Sequence, residues 1–95
     1  MKIKVINDIT YYVIKDDNDI LSNMDISDKL TEYFDDFDYI VGDISYSVIR
    51  LKGFYRDSKS NNKFNKISFL NNYLEKYCSY GAKWFIISKI YKDIK

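Results

Sequence analysis

The sequence predicts one α+β domain over residues 1–95, in the order ββαββαβ, with a mainly antiparallel sheet carrying two helices on one face. Three observations carry this. Two pairs of β-rich stretches each meet at a short polar turn, two segments space their apolar residues helically, and the chain closes on another β-rich run. No linker, repeat or low-complexity segment divides the 95 residues, and a chain this short supports one core.

The elements follow in order. Residues 3–6 and 9–15 are rich in Ile and Val and flank Asn7-Asp8, a pair that tolerates the positive φ of a two-residue hairpin. This hairpin joins the main sheet or forms a second sheet layer. After a polar loop at 16–24, Ile26, Leu30, Tyr33, Phe34 and Phe37 recur at helical spacing behind Asp25 as N-cap, which predicts helix one over 26–37. Residues 39–45 and 48–57 form a second hairpin around Tyr46-Ser47, placing Asp43 opposite Arg50 and Val41 opposite Lys52. Residues 58–66 are Asn- and Lys-rich and read as a mobile loop. Phe69, Leu70, Tyr73, Leu74, Tyr77 and Cys78 form the stripe of helix two, 68–80, with Gly81 suited to its C-terminal cap. Residues 84–91 supply the last strand.

Composition excludes much chemistry. The chain has no His and a single Cys, so His-based acid/base catalysis, His-containing metal sites and an internal disulfide are absent from the expectations. Cys78 falls on an apolar stripe and reads as core. No cofactor is expected. The start of the chain lacks the apolar run of a signal peptide, and no stretch is long enough to span a bilayer, so the expected location is cytoplasmic with no membrane partner.

Net charge is +1, but the charge is segregated. Residues 1–45 hold 4 basic and 11 acidic side chains, net −7, whereas residues 46–95 hold 11 basic and 3 acidic, net +8. Such a split points to a partner carrying one sign of charge. The abundance of Ile, Lys, Asn and Tyr fits an AT-rich coding bias, which accounts for the number of lysines and not for their segregation.

Alternation along residues 48–57 puts Ile49, Leu51, Gly53 and Tyr55 on the core side and Arg50, Lys52, Phe54 and Arg56 on the other. In the preceding strand Tyr39, Val41 and Asp43 lie beside that basic row. Together they sketch an exposed patch.

The run Asp38-Tyr39-Ile40-Val41-Gly42-Asp43, then Tyr46, then Arg50-Leu51-Lys52-Gly53-Phe54-Tyr55, resembles the central signature of the YutD-like family of small bacterial proteins. Residues 73–78, with Gly81 and Trp84-Phe85, are similar to that family's second block. Where the family commonly has Trp and Gly between the signature Asp and Tyr, this chain has Ile44-Ser45, and Ser47 replaces a Gly after the Tyr. The resemblance implies a fold and a set of candidate residues; the family brings no established activity.

The leading functional expectation is a non-catalytic module that binds RNA or a ribonucleoprotein such as the ribosome. Arg50, Lys52, Arg56, Lys59, Lys63 and Lys66 would contact phosphates and Phe54 or Tyr46 would stack a base, with Tyr39, Asp43 and Tyr46 completing the candidate surface. The alternative is a protein-binding adaptor or regulator that turns its acidic half, from Asp16 through Asp38, to a basic partner. A third reading is a small enzyme centred on Asp43 and Arg50, against which stands a plain cross-strand ion pair. The acidic sets Asp16, Asp17, Asp19 and Asp35, Asp36, Asp38 lack the alternation, glycine and terminal Glu of a calcium loop, so no metal is expected.

Overall fold

The structure, a computed structural model, describes residues 2–45, 48–59, 62–77 and 83–90. Strands β1 (Lys2–Ile6), β2 (Ile9–Asp16), β3 (Tyr39–Ser45), β4 (Val48–Phe54) and β5 (Lys83–Lys89) form one sheet, ordered β1-β2-β5-β3-β4, with every pairing antiparallel. The fold class is α+β, as expected. Asn7 and Asp8 take φ of 52° and 65°, the left-handed pair that lets a two-residue turn follow the twist of its strands. The predicted register of the second hairpin holds, with Asp43 opposite Arg50 and Val41 opposite Lys52. The N-terminal hairpin is not a second layer: β5 lies between the hairpins and pairs with both β2 and β3.

This central place explains the apolar run Trp84–Ile87. A strand buried on both faces has no polar alternation to display. On one face Tyr11, Val13, Ile40, Ile49, Phe85 and Ile87 meet Ile20, Leu21, Ile26, Leu30, Phe34 and Phe37. On the other, Val41, Phe54 and Ile86 are covered by Ile67, Phe69, Leu70, Tyr73 and Leu74. The covering segments therefore sit on opposite faces of the sheet, not together on one.

Helix one also differs from its expectation. The first helix is α1 (Ile20–Asn23), a single turn inside the segment read as a polar loop, and residues 26–37 fold as separate turns including a 3-10 turn at Glu32–Phe34. The Asp25 carboxylate accepts from the Ser27 N–H at 2.9 Å, and the Lys29 and Leu30 amides bond the Ile26 carbonyl, which closes one turn. Thr31, with φ −80° and ψ 177°, is extended and ends it. Ile26, Leu30, Phe34 and Phe37 are all buried as the spacing required, but Tyr33 of the same stripe is 70% exposed. Periodicity located the buried residues and misassigned the backbone that delivers them.

Helix α2 (Leu70–Tyr77) follows a 3-10 turn at Ile67–Phe69 and lays Leu70, Tyr73 and Leu74 on the second face. Cys78, Gly81 and the predicted helix end lie outside the described residues. The segment read as a mobile loop is tied down where described: the Tyr55 N–H bonds the Asn65 carbonyl at 2.7 Å and the Ile67 N–H bonds the Tyr55 carbonyl at 2.9 Å. Among the described residues no helix is long and apolar enough to cross a membrane.

Candidate functional site

The pleat of β4 sends Arg50, Lys52 and Phe54 to one side, as expected, but that side is not open. Phe54 is fully buried, with Tyr73 of α2 edge-on to its ring at 5.6 Å between centroids. It has no face to offer a base, which corrects its assignment as a stacking residue. Tyr39 is half-buried in the same cluster. Lys52 is half-buried too: its Nζ donates to Asn65 Oδ1 at 3.1 Å and sits 5.3 Å from the Phe54 ring centroid, and burial lowers its pKa. Tyr46 lies outside the described residues.

The remaining cations of this region are held to two buried carboxylates. Arg50 Nη2 donates to Asp43 Oδ2 at 2.7 Å, and the Asp43 side chain is 1% exposed against 46% for Arg50. Asp38, also 2% exposed, accepts the Arg56 backbone N–H at 2.8 Å, with Arg56 Nε and Lys59 Nζ each 3.8 Å from its carboxylate. Lys59 additionally donates to the Asp36 carbonyl at 2.9 Å and lies over the Tyr55 ring. Burying a carboxylate is costly unless it is hydrogen-bonded and paired, and here the pairing cations come from the chain itself. Lys63 is exposed beside Phe64, and Lys66 is half-buried in the bridge to Tyr55.

Asp38 belonged to the acidic half expected to turn to a basic partner; it is instead the buried hub just before β3. The signal that could have found it is an acid set between Phe37 and Tyr39 at the head of an apolar strand, with cations in the segment after the partner strand. The signature glycines are structural for a related reason. A Cβ on Gly42 would lie 2.3 Å from the Phe85 ring, and one on Gly53 would lie 2.3 Å from the Phe37 ring. Asp43 joins β3 to β4 and Asp38 gathers the segment after β4, while Gly53 packs the sheet against Phe37 on one cover and Phe54 packs it against Tyr73 on the other.

The acidic half divides likewise. Asp16 accepts from the Leu21 N–H at 3.2 Å, and Asp17 accepts the Trp84 N–H at 3.2 Å while lying 3.7 Å from Lys15. Both organise backbone. Asp19 lies 3.7 Å from Lys2. In contrast, Asp28, Glu32, Asp35 and Asp36 are exposed, and none takes part in an ion pair among the described residues. The first three of these line a groove of about 440 Å³ with Asn7, Ile9, Tyr11, Ser27, Leu30 and Thr31. The hairpin tip fixes one wall, because Asn7 Nδ2 donates to the Ser27 and Leu30 carbonyls at 3.0 and 3.1 Å. Tyr11 is 2% exposed, and burial first and the Asp35 carboxylate second raise its pKa. Among the described residues no His, Cys, Asp and Glu gather into a group able to hold a metal ion.

The fold and this division of charge define a small α+β domain whose antiparallel sheet is covered on both faces, with an acidic groove at one side. The chain belongs to the YutD-like family: the family described as "Putative antitoxin YutD-like" matches residues 5–88. The chain is similar to "Putative antitoxin YutD" of Bacillus subtilis strain 168, 38% identical over 65 residues that cover 67% of this chain and 71% of that protein. The solution NMR structure of protein yutD from B. subtilis superposes with a TM-score of 0.75 at 28% identity, covering 100% of this chain and 87% of that one.

Proposed function

We propose that this protein is a non-catalytic protein-binding module whose acidic segment, residues 27–36, meets a basic surface of a partner protein. One observation carries the reading: the acids of this segment are exposed and without ion pairs among the described residues, whereas Arg50, Arg56 and Lys59 are drawn onto the buried Asp43 and Asp38. Unneutralised charge on an exposed surface raises the encounter rate with an opposite charge. The family description supports the reading, since a protein antitoxin that blocks a protein toxin directly does so by covering it. The RNA reading retains phosphate contacts by Arg50, Arg56, Lys59 and Lys63 but has lost Phe54 as a stacking surface.

Both readings meet one experiment. Tagged protein is purified gently from its native cell with and without nuclease, and bound species are identified after cross-linking. The protein-binding reading expects a protein that survives nuclease, cross-links to residues 27–36, and is lost from Asp35→Lys/Asp36→Lys. Nuclease-sensitive capture, abolished by Lys63→Glu and unaffected by the acidic reversals, would establish the RNA reading instead.

A further inference from the structure

We propose that the groove between the N-terminal hairpin and residues 27–35 is a receptor for an arginine side chain of the basic partner, with Asp28, Glu32 and Asp35 on its walls and the Tyr11 hydroxyl at its base. The inference rests on the protein-binding reading and names the chemistry of its contact. Tyr11 is the observation that separates this groove from an ordinary solvated acidic surface. It is 98% buried in the main core cluster, yet its hydroxyl makes no hydrogen bond among the described residues. No fully enclosed side-chain oxygen or nitrogen there lacks a partner, so the sliver of Tyr11 left accessible includes the hydroxyl, and Tyr11 lines the groove. A buried phenol usually finds a polar partner at its wet end. Here the chain supplies none among the described residues, which leaves the hydroxyl open to water or to a ligand in the groove.

The surroundings select the partner's chemistry. Burial and the Asp35 carboxylate disfavour the phenolate, so the hydroxyl stays protonated with its lone pairs free to accept. Three carboxylates and a phenol oxygen are all acceptors. An anion or a neutral apolar group would leave them unsatisfied, and a lysine ammonium offers one compact charge. A guanidinium offers five donors in a planar fork, enough to meet two carboxylates and the phenol at once. The groove is also held ready, since Asn7 ties the 27–30 turn to the hairpin tip before any ligand arrives.

The test is an NMR titration of the whole 15N-labelled protein with Ac-Gly-Arg-Gly-NH2 and with its neutral isostere Ac-Gly-citrulline-Gly-NH2. The expected result is saturable shifts confined to Asn7, Tyr11, Ser27 and residues 31–35 with the arginine peptide, and none with citrulline. Asp35→Asn should weaken the arginine peptide about threefold, as loss of one exposed ion pair does, and Glu32→Gln with Asp35→Asn about tenfold. Tyr11→Phe, which keeps the ring in the core, should weaken it without altering the remaining spectrum. Equal shifts with citrulline, arginine shifts spread equally over Asp16–Asp19, or no response would overturn the inference. If a nuclease-resistant protein partner is still lost from Asp35→Lys/Asp36→Lys while the arginine peptide gives no such shifts, the receptor fails and the protein-binding reading stands; nuclease-sensitive capture fails that reading itself.

Discussion

The rim around Asp38 and Asp43 and the groove around Tyr11 both carry charge, and they use it in opposite ways. In the rim each carboxylate is almost completely excluded from water and cations of the chain converge on it. In the groove the carboxylates are exposed, and Tyr11, whose ring is buried, brings to the groove a hydroxyl that makes no hydrogen bond among the described residues. Charge density alone ranks the basic segment first as a binding surface. Burial reverses the ranking, because a charge already satisfied inside the fold contributes to stability and has less to offer a ligand.

The largest expected effect in this comparison belongs to the rim's apolar support. Phe54→Ala should cost about 3–5 kcal/mol, because the ring is fully enclosed between sheet and α2, and a urea melt would show it. Asp38→Ala should follow at about 3 kcal/mol, with the Arg56 amide losing this acceptor and two nearby cations losing this carboxylate. A loss below about 0.5 kcal/mol there would mean that the rim does not depend on its buried carboxylate. Gly53→Ala, which drives a methyl into the Phe37 ring, should cost about 1–3 kcal/mol by the same measurement.

The groove should behave differently. Glu32→Gln and Asp35→Asn should each change stability by less than about 0.5 kcal/mol, as exposed unpaired side chains do. A loss of 2 kcal/mol or more, on the scale of a broken buried network, would show that these acids are structural after all. The smallest effect is pH-dependent. The folded state raises the Tyr11 pKa above its ordinary 10.0, so the stability its neutral form contributes is complete below pH 10 and is lost as pH rises through the folded value. Tyr11→Phe should abolish that share of the alkaline loss, read as a smaller drop in urea midpoint between pH 9 and pH 11 than in the parent.

Much of the fold was legible in the residues. The Asn7-Asp8 turn, the boundaries of β3, and the Asp43–Arg50 register follow from turn chemistry and period-two alternation, which are local. The errors are non-local. Nothing within residues 26–37 says that Thr31 will be extended or that two short turns will bury the same four side chains as a helix. Whether the Arg50, Lys52, Phe54 side of β4 is open depends on where α2 comes to rest, some twenty residues further along the chain. The candidate cations were found from sequence, but their buried partner Asp38 was not, since burial of a carboxylate is decided by the assembled sheet. Tyr11 was hidden for the converse reason: as one of ten tyrosines it carried no mark until the fold placed it in one groove with Asp35.

The most direct test of the central claim is capture by tagged protein from nuclease-treated native lysate, compared between the parent and Asp35→Lys/Asp36→Lys after both are shown to melt alike. One cross-linked protein partner is expected, retained by the parent at low salt and absent from the reversed variant. Retention of the same partner by the variant, or capture that vanishes with nuclease, would contradict it.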